Sequence, residues 1–135
     1  MDLNKTIMIS AAGMRAQGVR MRVIAENLAN SSSLPLSPDD DPYRRKLVTF
    51  KNTLDRELDT RTVKVGRVVN EAGEFSKRFD PAHPGADEDG YVKIPNVNSM
   101  IELMDMREAQ RSYEANINVI EAAKRMLSRT IEMLQ

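Results

Sequence analysis

The 135 residues predict a mainly α fold with a small β-rich middle: long N- and C-terminal helices paired as a coiled coil, with short strands and loops between them. Three observations carry that expectation. All six prolines fall between Pro35 and Pro95, so the residue that breaks helix interiors is confined to the middle. Both proline-free ends carry apolar residues at helical spacing. In the middle, apolar and polar residues alternate with the period of a half-buried strand, as in Thr62-Val63-Lys64-Val65. The chain divides accordingly into 1–30, an N-terminal helix; 31–97, an extended loop and small β-rich segment; and 98–135, a C-terminal helix.

The N-terminal helix is expected from about Asn4 to Asn30. Ile7, Met14, Met21 and Leu28 recur at heptad spacing, with Ala11, Gly18 and Ala25 between them. Large side chains alternating with small ones let another helix approach closely, as in a coiled-coil seam. Gly18 costs roughly 1 kcal/mol of helix propensity relative to Ala, which a tight packing contact would explain. Met8, Ala12, Val19 and Val23 form a second apolar stripe on nearly the opposite side.

In the middle, Ser31 to Pro42 is rich in Ser, Pro and Asp and reads as a mobile loop. Lys46 to Phe50 and Arg61 to Val69 are rich in Val and Thr and read as strands. Glu71-Ala72-Gly73-Glu74 reads as a turn before a strand at Phe75 to Phe79. Asp89-Gly90 is a hairpin-turn dipeptide, with a strand over Tyr91 to Ile94 after it.

The C-terminal helix, about Asn98 to Leu134, again carries two stripes. Met106, Ala109, Tyr113, Ile117, Ile120, Leu127, Ile131 and Leu134 form one. Val97, Ile101, Met104, Ala115, Val119, Ala122, Met126 and Met133 form the other. Two helices that pair with each other bury one stripe each, and a short middle cannot cover both that remain. Apolar stripes of this length imply partners. The first stripe, with the larger side chains, is assigned to the sister helix. The second, richer in Ala and Met, is assigned to neighbouring molecules, because Met adapts to imperfectly matched surfaces. The alternative is that one second stripe packs on the middle while the other is merely Ala-rich surface.

Composition narrows the classes of function. Lys plus Arg and Asp plus Glu both total 20, which argues against a nucleic-acid footprint. The absence of cysteine excludes disulfides, thiolate metal sites and a cysteine nucleophile. His83 is the single histidine, so a His-based triad or zinc site is not expected. Asp87-Glu88-Asp89-Gly90 lacks the other ligands of a calcium loop, with Gly85 and Asn96 at the positions that would need acids. Tyr43-Arg44-Arg45-Lys46 could touch an acidic polymer, but reads first as an exposed strand start balancing Asp39-Asp40-Asp41. No phosphate loop, nucleophile elbow or paired-carboxylate framework is present. No catalytic residue, cofactor, metal or small-molecule substrate is therefore expected. No basic leader with an apolar core opens the sequence, and no stretch has the length of a membrane span.

Several segments, in order along nearly the whole chain, resemble the flagellar axial proteins and most closely the flagellar basal-body rod protein family. Ala11-Ala12-Gly13-Met14 and Asn27-Leu28-Ala29-Asn30 are similar to its N-terminal signature. Tyr43-Arg44-Arg45 with Phe50 resembles its next segment. Asp80-Pro81-Ala82-His83-Pro84, Ala86 to Val92, Pro95-Asn96-Val97-Asn98 and Arg111-Ser112-Tyr113-Glu114-Ala115-Asn116 resemble the rest. The chain departs at Ser31-Ser32-Ser33, where relatives often carry Thr.

The resemblance implies a non-enzymatic subunit whose terminal helices pack into a tubular, torque-transmitting core. It implies copies of itself, other rod subunits and the flagellar type III export apparatus as partners, and a place in the basal body across the periplasm. Export would use an uncleaved N-terminal segment. The residues then assigned to assembly are Ile7, Ala11, Met14, Gly18, Met21, Ala25, Leu28, Tyr113, Ile117, Val119, Ile120, Met126, Leu127 and Ile131. Another short rod subunit and a soluble coiled-coil adaptor remain the alternatives, with a small hydrolase using Asp87, Glu88 or His83 behind them.

Overall fold

The computed structural model describes residues 2–134; Met1 and Gln135, the outermost residues of the two expected helical segments, lie outside the described residues. The elements in chain order are α1 (Leu3–Ala29), β1 (Lys46–Asp55), β2 (Thr60–Asn70), β3 (Lys77–Phe79), β4 (Tyr91–Lys93) and α2 (Ser99–Met133). The two long helices pack together, with small antiparallel strand pairs between them in sequence.

Each helix starts on a side-chain cap. Asp2 Oδ1 accepts from the Lys5 amide at 3.2 Å, and Asn98 Oδ1 accepts from the Met100 amide at 3.0 Å. Both satisfy an amide that has no partner inside its helix. At the end of α1, Asn30 Nδ2 donates to the Glu26 carbonyl at 2.9 Å and Ser31 Oγ to the Leu28 carbonyl at 2.8 Å. Asn30 and Ser31 thus close α1 through polar side chains.

The internal contacts divide the chain into two units: Met1–Met21 with Val48–Arg67 and Arg107–Gln135, and Arg22–Leu47 with Val68–Met106. In the first unit, the helix segments run antiparallel: Gly13 stands against Asn116, and Arg20 against Glu108. Ala12 and Ala16 of α1, Thr62 of β2, and Ala109 and Ala123 from the part of α2 in this unit are buried there. Thr49 Oγ1 accepts from the Arg67 amide at 2.8 Å and donates to its carbonyl at 2.9 Å, tying β1 to β2.

In the second unit, β3 and β4 pair antiparallel with Lys77 opposite Lys93 and Phe79 opposite Tyr91. The rings of Phe79 and Tyr91 meet edge to face with centroids 5.3 Å apart. Asp89-Gly90 does not make a two-residue hairpin. It ends the longer connection from Asp80, which closes where the Asp80 amide donates to the Gly90 carbonyl at 2.9 Å. The segment read as a mobile loop is pinned: Pro35 and Pro42 are buried, and Lys93 Nζ donates to Asp41 Oδ1 at 2.9 Å.

Candidate assembly surface and its polar clamp

Helix geometry gives α1 two inward faces. Ser10, Gly13, Gln17, Arg20, Ile24 and Asn27 recur at spacings of three and four, the row that meets a partner helix. Gly13 and Arg20 of this row face α2 in the first unit, and Asn27 faces it in the second. Ala12, Ala16 and Val19 share the other face and border a cleft with Leu58, Thr62 and Val65 of the β1–β2 region. The buried sector therefore centres between these rows.

The heptad stripe lies largely outside that sector. Ile7, Ala11, Met14, Gly18, Met21 and Leu28 are half-buried and Ala25 is exposed. A side chain begun at Gly18 would meet nothing within 4 Å, whereas at Gly13 it would stand 3.1 Å from the Asn116 amide group. The close helix approach within the chain thus falls at Gly13. Two large-residue stripes do not form this seam: Gly13 meets a polar side chain, and Glu102, Ala109, Asn116 and Ala123 of α2 recur at heptad spacing on small or polar residues.

On α2, Tyr113, Ile117 and Ile120 are half-buried, whereas Val119, Met126, Leu127 and Ile131 are exposed. Counting antiparallel from the Gly13–Asn116 contact brings the start of α1 level with the neighbourhood of Met126. The remainder of α2 runs past the sister helix. There Ile131 is 51 % exposed, Met133 78 % and Leu134 83 %. In the second unit, Met100, Ile101, Leu103 and Met104 are likewise exposed.

Inside the second unit, a polar clamp holds α1, α2 and the start of β1. Glu102 is fully buried and accepts from Asn27 Nδ2 at 3.0 Å and from Arg45 Nε at 2.5 Å. Arg45 also reaches Asp105 Oδ2 at 3.4 Å and Glu71 Oε1 at 3.5 Å. Asn27 donates to the Lys46 carbonyl at 2.9 Å, while its Oδ1 accepts from the Lys46 amide and the Tyr43 hydroxyl, each at 2.9 Å. Lys46 pairs with Glu26.

Burial pulls the Arg45 pKa down, but the hydrogen bond and charge of Glu102, with Glu71 and Asp105, outweigh it and hold the guanidinium above its ordinary value. Burial, followed by the nearby Glu26 charge, raises the Tyr43 hydroxyl. A buried carboxylate is tolerated only with partners of this kind. Sequence reading singled out Asn27 and Arg45 separately and missed Glu102. The signal available was an acid inside the apolar run Met100-Ile101-Glu102-Leu103-Met104, in heptad register with Ala109 and Asn116.

His83 and Asp87 each accept a backbone hydrogen bond within their own turn. His83 Nδ1 accepts from the Gly85 amide at 3.0 Å. Asp87 Oδ1 accepts from the Tyr91 amide at 2.8 Å and its Oδ2 from Lys77 at 3.0 Å. Among the described residues, no group of three or more acids and histidines could hold a metal ion, and no helix is long and apolar enough to cross a membrane.

Comparison with known proteins covers nearly all of this chain. A family model described as "Flagellar basal body rod FlgEFG protein C-terminal" matches residues 88–133, the stretch from the β3–β4 connection through α2. The chain is 44% identical to the flagellar basal-body rod protein FlgC of Agrobacterium fabrum, over 94% of this chain and 91% of that protein. It is 38% identical to the FlgC protein of Aquifex aeolicus, over 98% of this chain and 97% of that one. It is also 38% identical to the FlgC protein of Salmonella typhimurium, over 94% of each. Identity of this level, over more than nine tenths of each partner, means that the chain belongs to the FlgC family of flagellar basal-body rod proteins.

Proposed function

We propose that the chain is a structural subunit of the bacterial flagellar basal-body rod, and that it acts by packing rather than by catalysis. The observation that carries this reading is the apolar surface left over after the two helices have paired. Val119, Met126, Leu127 and Ile131 stand exposed on a helix whose other face is already used. On α1, the row from Ile7 to Leu28 is turned from the centre of the buried sector. Exposed apolar area of this extent is characteristic of surfaces covered by partners.

In this reading the partners are copies of the chain and other rod subunits, and the assembly transmits torque as a shaft crossing the periplasm. The chain reaches that place through the flagellar type III export apparatus. The fourteen residues assigned to assembly divide between contacts inside one molecule, such as Tyr113, Ile117 and Ile120, and contacts to neighbours, such as Val119, Met126 and Ile131.

A charge placed on each α2 stripe tests the reading. Ile120→Asp buries an unpartnered charge within the molecule and should lower soluble yield and thermal stability by several kcal/mol. Val119→Asp should leave the monomer's melting temperature nearly unchanged, yet abolish incorporation into basal bodies and swimming. Normal swimming with Val119→Asp, or absence of the wild-type protein from purified basal bodies, would refute the proposal.

A further inference from the structure

Of the basic run Tyr43-Arg44-Arg45-Lys46, the clamp uses Tyr43, Arg45 and Lys46 and leaves Arg44. Arg44 meets the segment after β2 instead. Its Nη1 donates to the Gly73 carbonyl at 2.8 Å and to the Glu71 carbonyl at 3.3 Å, and its guanidinium carbon stands 4.2 Å from the centre of the Phe75 ring. Two carbonyls and a ring fix the group without neutralising it: among the described residues no acid pairs with Arg44. Its Nε and Nη2 have no partner there either, and this is an edge that can grip a carboxylate through two parallel hydrogen bonds.

Arg44 borders a cleft of about 350 Å³ within the second unit, together with Asp41, Glu74, Phe75, Lys77 and Lys93. Lys77 and Lys93 stand directly opposite each other on β3 and β4. Like charges opposed across a strand pair are unfavourable, and an anion between them relieves the repulsion. Each lysine is held by one carboxylate at the surface, Lys77 by Asp87 at 3.0 Å and Lys93 by Asp41 at 2.9 Å. Exposed pairs of this kind are weak, so either lysine can turn to a second carboxylate.

We propose that this cleft binds an acidic peptide segment of a partner protein, with one carboxylate on the Nε–Nη2 edge of Arg44 and a neighbouring one between Lys77 and Lys93. Three cations on one cleft, one of them unneutralised, select carboxylates. The open rim selects a peptide: Asp41, Glu74 and Lys77 are exposed. Small ligands are held in pockets that bury most of their surface, whereas side chains delivered by a larger body need only an open cleft. Glu74 lines the cleft without a partner among the described residues and is the built-in competitor for Arg44. The site uses none of the apolar residues that carry the subunit reading, so either inference can fall without the other.

Nuclear magnetic resonance titration of the isotope-labelled full chain with acetyl-Glu-Glu-amide, at low salt, tests the site. Saturable shifts are expected at the amides of Gly73, Phe75, Lys77 and Lys93 and at Arg44 Nε, and none with acetyl-Gln-Gln-amide. Arg44→Lys keeps the charge but loses the fork and should weaken binding ~10-fold. Lys77→Met with Lys93→Met leaves Arg44 and its carbonyl partners in place and should weaken it by a similar factor. Glu74→Gln should tighten it ~3-fold. Each variant should keep wild-type helix content by circular dichroism. Absence of shifts, or binding that survives both Arg44→Lys and the lysine pair unchanged, would overturn the proposal. So would glutarate or inorganic phosphate binding as tightly as the dipeptide, because the cleft would then not be selecting a peptide's carboxylates.

Discussion

Glu102 decides more than its size suggests, because a carboxylate with no exposure must keep its partners. Glu102→Ala leaves Arg45 with part of its compensation gone and should cost about 3–5 kcal/mol in urea unfolding. Glu102→Gln keeps the shape and the Asn27 contact, so its loss should be smaller; equal losses would mean that volume, not charge, is what matters. Asp87 offers a pH handle. The Tyr91 amide first, then Lys77, hold its carboxyl below the usual carboxylate range. A depressed folded pKa stabilises above the unfolded value and is lost as pH falls through the folded one. The stability difference between wild type and Asp87→Asn should therefore be present at neutral pH and vanish under strong acid, which paired melts across pH will show. The sequence announced these residues unevenly. Asn27, Arg45 and Asp87 lie in motifs, but Glu102 is a single acid in an apolar run, and nothing local says that a residue fifty-seven positions earlier will neutralise it.

At the scale of elements, the helices and the positions of the strands were legible, because proline placement and apolar period are local properties. Strands Lys46–Asp55 and Thr60–Asn70 proved longer than the expected Lys46–Phe50 and matched Arg61–Val69 closely. What was not legible was which helix face meets which. The heptad of large residues pointed to Ile7, Met14, Met21 and Leu28, yet the intrachain approach uses Gly13 against Asn116. Gly13→Leu should overpack that approach and cost about 1–3 kcal/mol, partly recovered by Asn116→Ala. If the double variant is no more stable than Gly13→Leu alone, the contact is not the limiting one. The anchoring of 31–42 was equally hidden, since it depends on a meeting of two loops. An added methyl at Gly85 would lie 2.3 Å from the Pro35 carbonyl oxygen. Gly85→Ala should displace the segment, raising amide exchange around Pro35 and Lys93 while α2 of the first unit keeps its protection.

For the whole molecule, the fold class was legible and the distribution of stability along it was not. Sequence treats α2 as one uniform helix, whereas its partner ends opposite the neighbourhood of Met126. Residues 127–133 should therefore exchange amide hydrogens much faster than 109–123 in the dilute chain. Uniform protection to the end of α2 would contradict the antiparallel register. The assembly residues share this division. Those half-buried in the monomer could be guessed from stripe strength, but exposure of the others follows from relative helix length and start point, which only the packed chain reveals.

That antiparallel register also fixes how the molecule yields to force. Both helix ends nearest the chain termini belong to the first unit. A load applied between the termini therefore peels α1 from α2 one contact at a time instead of shearing the whole seam at once. Gly13–Asn116 opens before Arg20–Glu108, and the buried Asn27–Glu102–Arg45 cluster is reached late. A single molecule held by its two ends should part at low force in small steps, with a larger final rupture that Glu102→Ala removes.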